Sequence, residues 1–188
     1  QVYEANIRYL HHLGEVTYFS PLADTSLPDA GFVYLPGGYP ELYLAALSAN
    51  RQMLQSIRRY VESGGKLLAE CGGMMYLCDE IRDKNGDVYP MAGVLHQSAT
   101  MENMKLRLGY RTLLYNETRL KGHEFHYSRL VEQQNPLPSC AVAYTAKGVE
   151  TDTPLYHYKN VWAGYTHLYW ADPVGNEWFT KFVIDGNT

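Results

Sequence analysis

The sequence predicts an α/β fold, a doubly wound, mixed but mainly parallel sheet with helices on both faces and antiparallel strands added in its second half. Three observations lead there. Short apolar runs alternate with amphipathic helical stretches as far as Leu77, which is the pattern of parallel strands joined by crossover helices. Two of these runs end in glycine turns, Pro36-Gly37-Gly38 and Cys71-Gly72-Gly73, at the carboxyl edge where such sheets gather their ligands. Beyond Leu77 the segments become strand-like. The 188 residues, 46% hydrophobic, suffice for one good core, so residues 1–188 read as a single domain.

The elements follow in order. Tyr3, Ile7 and Leu10 recur at helical spacing, and Gly14 stops that helix. Glu15 to Phe19 reads as a strand and Gly31 to Leu35 as a second. A helical pair comes next, broken near Ser48-Ala49-Asn50, with Met53, Leu54, Ile57 and Val61 on one face of its second member and Gly64-Gly65 at its end. Lys66 to Ala69 is a short buried strand, and a helix begins at Gly72. Arg82 to Asp87 is a polar turn, after which Leu106 to Leu114, His123 to Leu130, Ala141 to Tyr144 and Val161 to Tyr165 read as strands. Trp178, Phe179, Phe182 and Val183 place a closing helix over Glu177 to Val183. A helix at the start with no strand before it is an unusual opening for a parallel sheet, so a first strand is expected upstream.

Composition excludes several functions. A net charge of −4 without a dense Lys/Arg cluster argues against nucleic acid and against an anionic membrane surface. No apolar stretch reaches transmembrane length, and the first residues do not have the form of a signal peptide. Three cysteines, Cys71, Cys78 and Cys140, lack metal-type spacing and favour a reducing, cytoplasmic setting. The 17 tyrosines are read first as half-buried packing residues, and only second as the lining of a partner surface.

Cys71 carries the chemistry. It follows an apolar strand and precedes two glycines, the arrangement of a nucleophile elbow bearing a thiol. The Gly72 N–H at the head of the next helix is placed to lower the thiol pKa and to donate to an oxyanion, which points to acyl transfer through a thioester. The Gly38 N–H, in the turn one strand-helix unit earlier, is the second oxyanion donor. A base must then be found among seven histidines. His11 and His12 close the first helix and need no function. His167 ends the strand Val161-Tyr165 at the same edge as Cys71, and competes with Gly122-His123-Glu124-Phe125-His126-Tyr127-Ser128. In that extended run His123 and Phe125 face one way, Glu124 and His126 the other, so a metal site is not expected. Cys78, seven positions after Cys71, reads as a small buried hydrophobe two helical turns deeper, and Cys140 as a loop or strand-start residue.

Five motifs occur in order: Pro36-Gly37-Gly38-Tyr39-Pro40-Glu41, Ala69-Glu70-Cys71-Gly72-Gly73-Met74-Met75-Tyr76-Leu77, Leu108-Gly109-Tyr110-Arg111, Gly122 to Ser128, and Gly164-Tyr165-Thr166-His167-Leu168. Together they resemble the flavodoxin-like class I glutamine amidotransferase domain of the cobyrinic acid a,c-diamide synthases, over nearly the whole chain. The resemblance implies that Cys71 attacks L-glutamine, that His167 moves the protons, and that Gly38 and Gly72 hold the oxyanion. It implies an N-terminal synthetase domain that uses ATP and magnesium to activate a corrinoid and receives the ammonia. No phosphate loop of the Gly-x-x-x-x-Gly-Lys-Ser/Thr type occurs here, so no cofactor is expected in this chain, which reads as the C-terminal glutaminase part of a longer synthetase lacking its own first strand. Many class I amidotransferases carry a glutamate two residues after the histidine. This chain has Tyr169 there, leaving a Cys-His dyad with Glu124 as the acid that orients the imidazole. The competing readings are a stand-alone cysteine hydrolase or peptidase of similar fold and a catalytically silent docking domain for a synthetase.

Overall fold

A computed structural model describes residues 2–186. In chain order the elements are α1 (Val2–Leu13), β1 (Val33–Leu35), a 3-10 turn (Pro40–Leu42), α2 (Leu44–Ala49), α3 (Arg51–Glu62), β2 (Leu67–Glu70) and α4 (Gly72–Leu77). The second half comprises β3 (Cys78–Arg82), β4 (Val88–Pro90), β5 (Leu95–Thr100), β6 (Arg107–Tyr115), β7 (Thr118–His126), β8 (Arg129–Leu130), β9 (Val142–Thr145), β10 (Glu150–Thr151), β11 (Leu155–Tyr158), β12 (Val161–Gly164) and β13 (His167–Leu168). It closes with α5 (Pro173–Trp178), which runs on as a π-helical stretch, Phe179–Ile184.

The central sheet has the order β1-β2-β12-β11. Its first three strands are parallel, and β11 joins antiparallel at the edge. Because side chains alternate along a strand, register decides which residues share a face. Val33, Leu67 and Val161 align, as do Leu35, Ala69 and Ala163, and this face packs with Met53, Leu54, Ile57 and Val61 of α3 in one core cluster. Full burial of each such α3 side chain stabilises the fold by about 1.5–3 kcal/mol. Tyr34, Leu68 and Trp162 align on the opposite face and join Trp178, Phe179 and Val183 of the closing helix, with Tyr9 and Leu10 of α1 packed against them. Helices thus cover both faces, as the alternating pattern predicts.

The second half adds antiparallel strands, as the sequence predicts. Two further sheets, β10-β9-β6-β7-β13 and β4-β3-β5-β8, contain a single parallel ladder, β3 with β5. The β6–β7 hairpin turns at Asn116, whose φ of 52° suits the tight turn of a two-residue loop.

Three local expectations are corrected. Residues 15–19 form no strand, for they have no ladder partner among the described residues and face the free edge of β1 across a groove of about 1040 Å³. The closing helix begins earlier, at Pro173, where Asp172 caps it through the Gly175 N–H at 2.6 Å, and it changes to π-type hydrogen bonding at Phe179. Helix α4 has only six residues, so Cys78 does not lie two turns along it but starts β3, fully buried, with Sγ 3.5 Å from the Met74 carbonyl. Among the described residues no helix is long and apolar enough to cross a membrane.

Candidate active site

Strand β2 delivers Cys71 into a sharp turn. Its backbone sits at φ 54° and ψ −111°, a conformation that costs a non-glycine residue about 1–3 kcal/mol and persists only where neighbours hold it. Here the Cys71 N–H donates to Gly164 of β12 at 2.8 Å and its carbonyl accepts from Met75 at 3.1 Å. The expected elbow is therefore present, and its strain is pinned from both neighbouring elements. A Cβ on Gly72 would stand 2.7 Å from the Gly38 carbonyl, so the turn accepts no side chain there and the two glycine turns lie against each other.

Gly37 brings the His167 imidazole beside the Cys71 thiol. Its φ is 120°, and a Cβ added to it would meet His167 Cε1 at 3.1 Å and Cys71 Cβ at 3.6 Å. The imidazole and the thiol are thus neighbours across a position that must stay bare. Gly38, at φ 123°, has no acceptor paired with its N–H among the described residues. The Gly72 N–H reaches the Cys71 sulfur, and Sγ also lies 3.5 Å from the Phe125 carbonyl.

The resting thiol is not the anion that a helix head alone would favour. Burial pushes the Cys71 pKa up to about 12, with Glu41, Glu70 and Glu124 adding to the rise, and the Gly72 N–H opposes this without overcoming it. Burial also lowers the His167 pKa below its ordinary value, helped by His123 and His126, so the imidazole is neutral at neutral pH. A neutral thiol beside a neutral imidazole is a pair made for general-base catalysis.

Glu124 does not orient His167. Its carboxylate is fully buried and engaged by Arg111 Nε at 2.7 Å, His126 Nε2 at 2.5 Å and the Thr153 hydroxyl at 2.9 and 3.0 Å. Register explains the correction: His167 pairs with His123, whose side chain lies on the face of β7 opposite to Glu124. Burial would raise the Glu124 pKa, but His126, Thr153 and Arg111 hold it down to about 2. The network continues through His126, whose Nδ1 donates to the Ser128 carbonyl at 2.7 Å and whose ring stacks on Tyr165 at 3.6 Å. It fixes the strand whose Phe125 carbonyl touches the thiol.

The carboxylate nearest the imidazole is Glu70, with Oε1 4.0 Å from His167 Nδ1. Sequence reasoning passed over it, and over Tyr34, whose hydroxyl donates to Glu70 at 2.7 Å. The signal was an acidic residue ending the run Leu67-Leu68-Ala69, all buried, because a charge in such a place requires partners. Cys140 is half-buried ahead of β9, and all three thiols are free.

The fold and the site together place a thiol, an imidazole and a glycine loop at one edge of an α/β sheet. The chain belongs to the CobB/CobQ-like glutamine amidotransferase domain family, whose model matches residues 1–174. It is 39% identical over 174 residues to hydrogenobyrinate a,c-diamide synthase of Pseudomonas aeruginosa, covering 89% of this chain and 38% of that protein. Over 176 residues it is 39% identical to cobyrinate a,c-diamide synthase of Fusobacterium nucleatum, again covering 89% of this chain and 38% of the relative. The chain therefore spans about two fifths of the length of these curated relatives. Two solved structures share the fold: one described as a glutamine amidotransferase (TM-score 0.54, 19% identical, covering 81% of this chain and 79% of that one) and PurLQS from Thermotoga maritima (TM-score 0.57, 18% identical, 87% and 80%).

Proposed function

We propose that this glutamine amidotransferase domain hydrolyses L-glutamine through a Cys71 thioester and releases ammonia for ATP-dependent amidation of the a and c carboxylates of cobyrinic acid in cobalamin biosynthesis. The observation that carries the reading is the strained elbow at Cys71 with His167 beside it across the bare Gly37. His167 takes the Sγ proton as sulfur attacks the side-chain amide carbon. The tetrahedral oxyanion is held by the N–H groups of Gly38 and Gly72. The C–N bond breaks as His167 returns the proton to the leaving nitrogen, and ammonia departs. Water, deprotonated by the same imidazole, then attacks the thioester, giving glutamate and the free thiol.

Ammonia would pass to a synthetase domain N-terminal to this one, which binds ATP, magnesium and the corrinoid. Support comes from the amidating relatives and from the share of their length that this chain spans. The chain is also read as lacking the first strand of its own sheet, for the groove between residues 15–19 and the open edge of β1 is of a kind that a strand fills. Three free cysteines suit the reducing cytoplasm.

A glutamine-analogue electrophile tests the chemistry. It should label wild-type protein at Cys71 alone, and Cys71→Ala should lose both label and glutaminase activity. Labelling elsewhere, or turnover by Cys71→Ala, removes the assignment. The isolated chain should release little ammonia and amidate nothing, and ATP-dependent amidation by it would contradict the division of labour.

A further inference from the structure

With Tyr169 in place of the downstream glutamate, His167 has no acid in the usual place. The folded chain supplies another. Glu70 is 1% exposed and immediately precedes the nucleophile, and its Oε1 lies 4.0 Å from His167 Nδ1. That is ion-pair reach rather than a hydrogen bond, and catalytic contacts are often long before substrate is bound. The carboxyl cannot swing away. Tyr34 donates its O–H to Oε1 at 2.7 Å, and the Leu168 N–H donates to Oε2 at 2.9 Å. One side chain thereby ties β2, which ends at the nucleophile, to β13, which begins with the base.

We infer that Glu70 is the positioning residue for His167, holding the imidazole with Nδ1 toward itself and Nε2 free for the thiol, and stabilising the imidazolium formed when the Sγ proton is transferred. The inference rests on the glutaminase reading above for its reaction. The proton moves from Sγ to Nε2 and later to the leaving nitrogen. Glu70 neither takes nor gives it.

A carboxyl here is unfavourable for the resting protein. Burial raises the Glu70 pKa to about 7, although the Leu168 N–H, the Tyr34 hydroxyl and the Trp170 indole all favour the anion. Trp170 Nε1 itself makes no hydrogen bond of good geometry. With the imidazole neutral, the Glu70 carboxylate has no cation to attract in the resting site. Their attraction begins only with the imidazolium, so it favours the transition state over the ground state. Other titratable groups near the imidazole are Cys71, His126 and, around a cavity of about 330 Å³, Tyr3, Tyr34, Tyr110 and His123.

The test uses this domain within the complete synthetase and follows kcat and KM for glutamine, and Cys71 alkylation by iodoacetamide, over about pH 5 to 9. In the wild type both kcat and alkylation should rise through about 7 as Glu70 ionises. Glu70→Gln should lose that limb and lower the kcat plateau about 10- to 100-fold with KM unchanged. Glu70→Asp should restore the limb and part of the rate. Tyr34→Phe, which keeps the carboxylate but removes a donor, should move the limb to higher pH. Glu70→Gln should also be no less stable than wild type at alkaline pH, a result that a merely structural carboxylate would not give. The inference is overturned if Glu70→Gln keeps both limb and plateau, or if its lost activity is accounted for by unfolding. Alkylation needs no glutamine. A wild type that shows the alkylation limb but no glutamine turnover overturns the glutaminase reading alone.

Discussion

At the residue scale, burial keeps the Cys71 thiol and the His167 imidazole uncharged, and the same burial has consequences for stability. Glu70 is the clearest case. Its native pKa, about 7, exceeds the ordinary carboxyl value, so between about 4.5 and 7 the folded state binds a proton that the unfolded chain has released. The associated stability is fully present below pH 4.5 and is lost as pH rises through 7. The loss comes to about 3 kcal/mol when complete. Glu70→Gln has no proton to lose, and its amide can donate to Tyr34, whose hydroxyl is able to accept. Thermal unfolding should therefore show the variant gaining on wild type as pH is raised from about 4.5 to 8. A constant difference across that range would mean that the native carboxyl titrates normally. The elbow at Cys71 and the glycine turns were legible in the sequence because each follows from local spacing, whereas His167 was one candidate among several, singled out by the family resemblance. Glu70 was not legible, because its meaning depends on Tyr34 and Leu168, 36 and 98 positions away.

At the element scale, the β6–β7 hairpin shows where sequence reading stops. The alternation that set Glu124 and His126 on one face of β7 was correct, but which face looks toward His167 depends on the register of β13, which no local pattern contains. Glu124 instead belongs to a buried network with Arg111, His126 and Thr153. Glu124→Ala would leave Arg111 buried without its carboxylate, a loss of about 3–5 kcal/mol. Urea denaturation should show that loss, and adding Arg111→Met should recover part of it, as expected for a coupled pair. The sign of the pH effect is opposite to that of Glu70. With its pKa held near 2, Glu124 contributes stability above the ordinary carboxyl range that disappears as pH falls toward 2. Unchanged stability in Glu124→Ala, with an altered pH profile for glutaminase activity, would return Glu124 to the mechanism.

At the scale of the whole molecule, the two-faced core and the covering helices were legible because each parallel strand is a short apolar run whose alternate residues meet different helices. The fate of residues 15–19 was not, because a strand exists only through its partner. Their side of the fold contains an open edge. In β1 the Val33 N–H donates to Lys66, so Val33 and Leu35 turn their backbone groups toward β2 and Tyr34 turns its own toward the groove. The groove is bounded by α1, by residues 14–22 and by β1, with Ile7, Leu10, Val16 and Phe19 among its apolar lining. An extended segment of about six residues, roughly 20 Å long, is the usual size of a strand that fills such a slot. If an upstream strand belongs there, a chain extended at its amino end by that segment should unfold at a higher temperature than the 188-residue chain. The Tyr34 amide should also gain hydrogen-exchange protection, since its N–H would then have a ladder partner and each large apolar side chain buried adds about 1.5–3 kcal/mol. If the extended chain unfolds at the same temperature and the Tyr34 amide exchanges as fast, the groove is not a strand site, and residues 15–19 are loop in the complete protein as well.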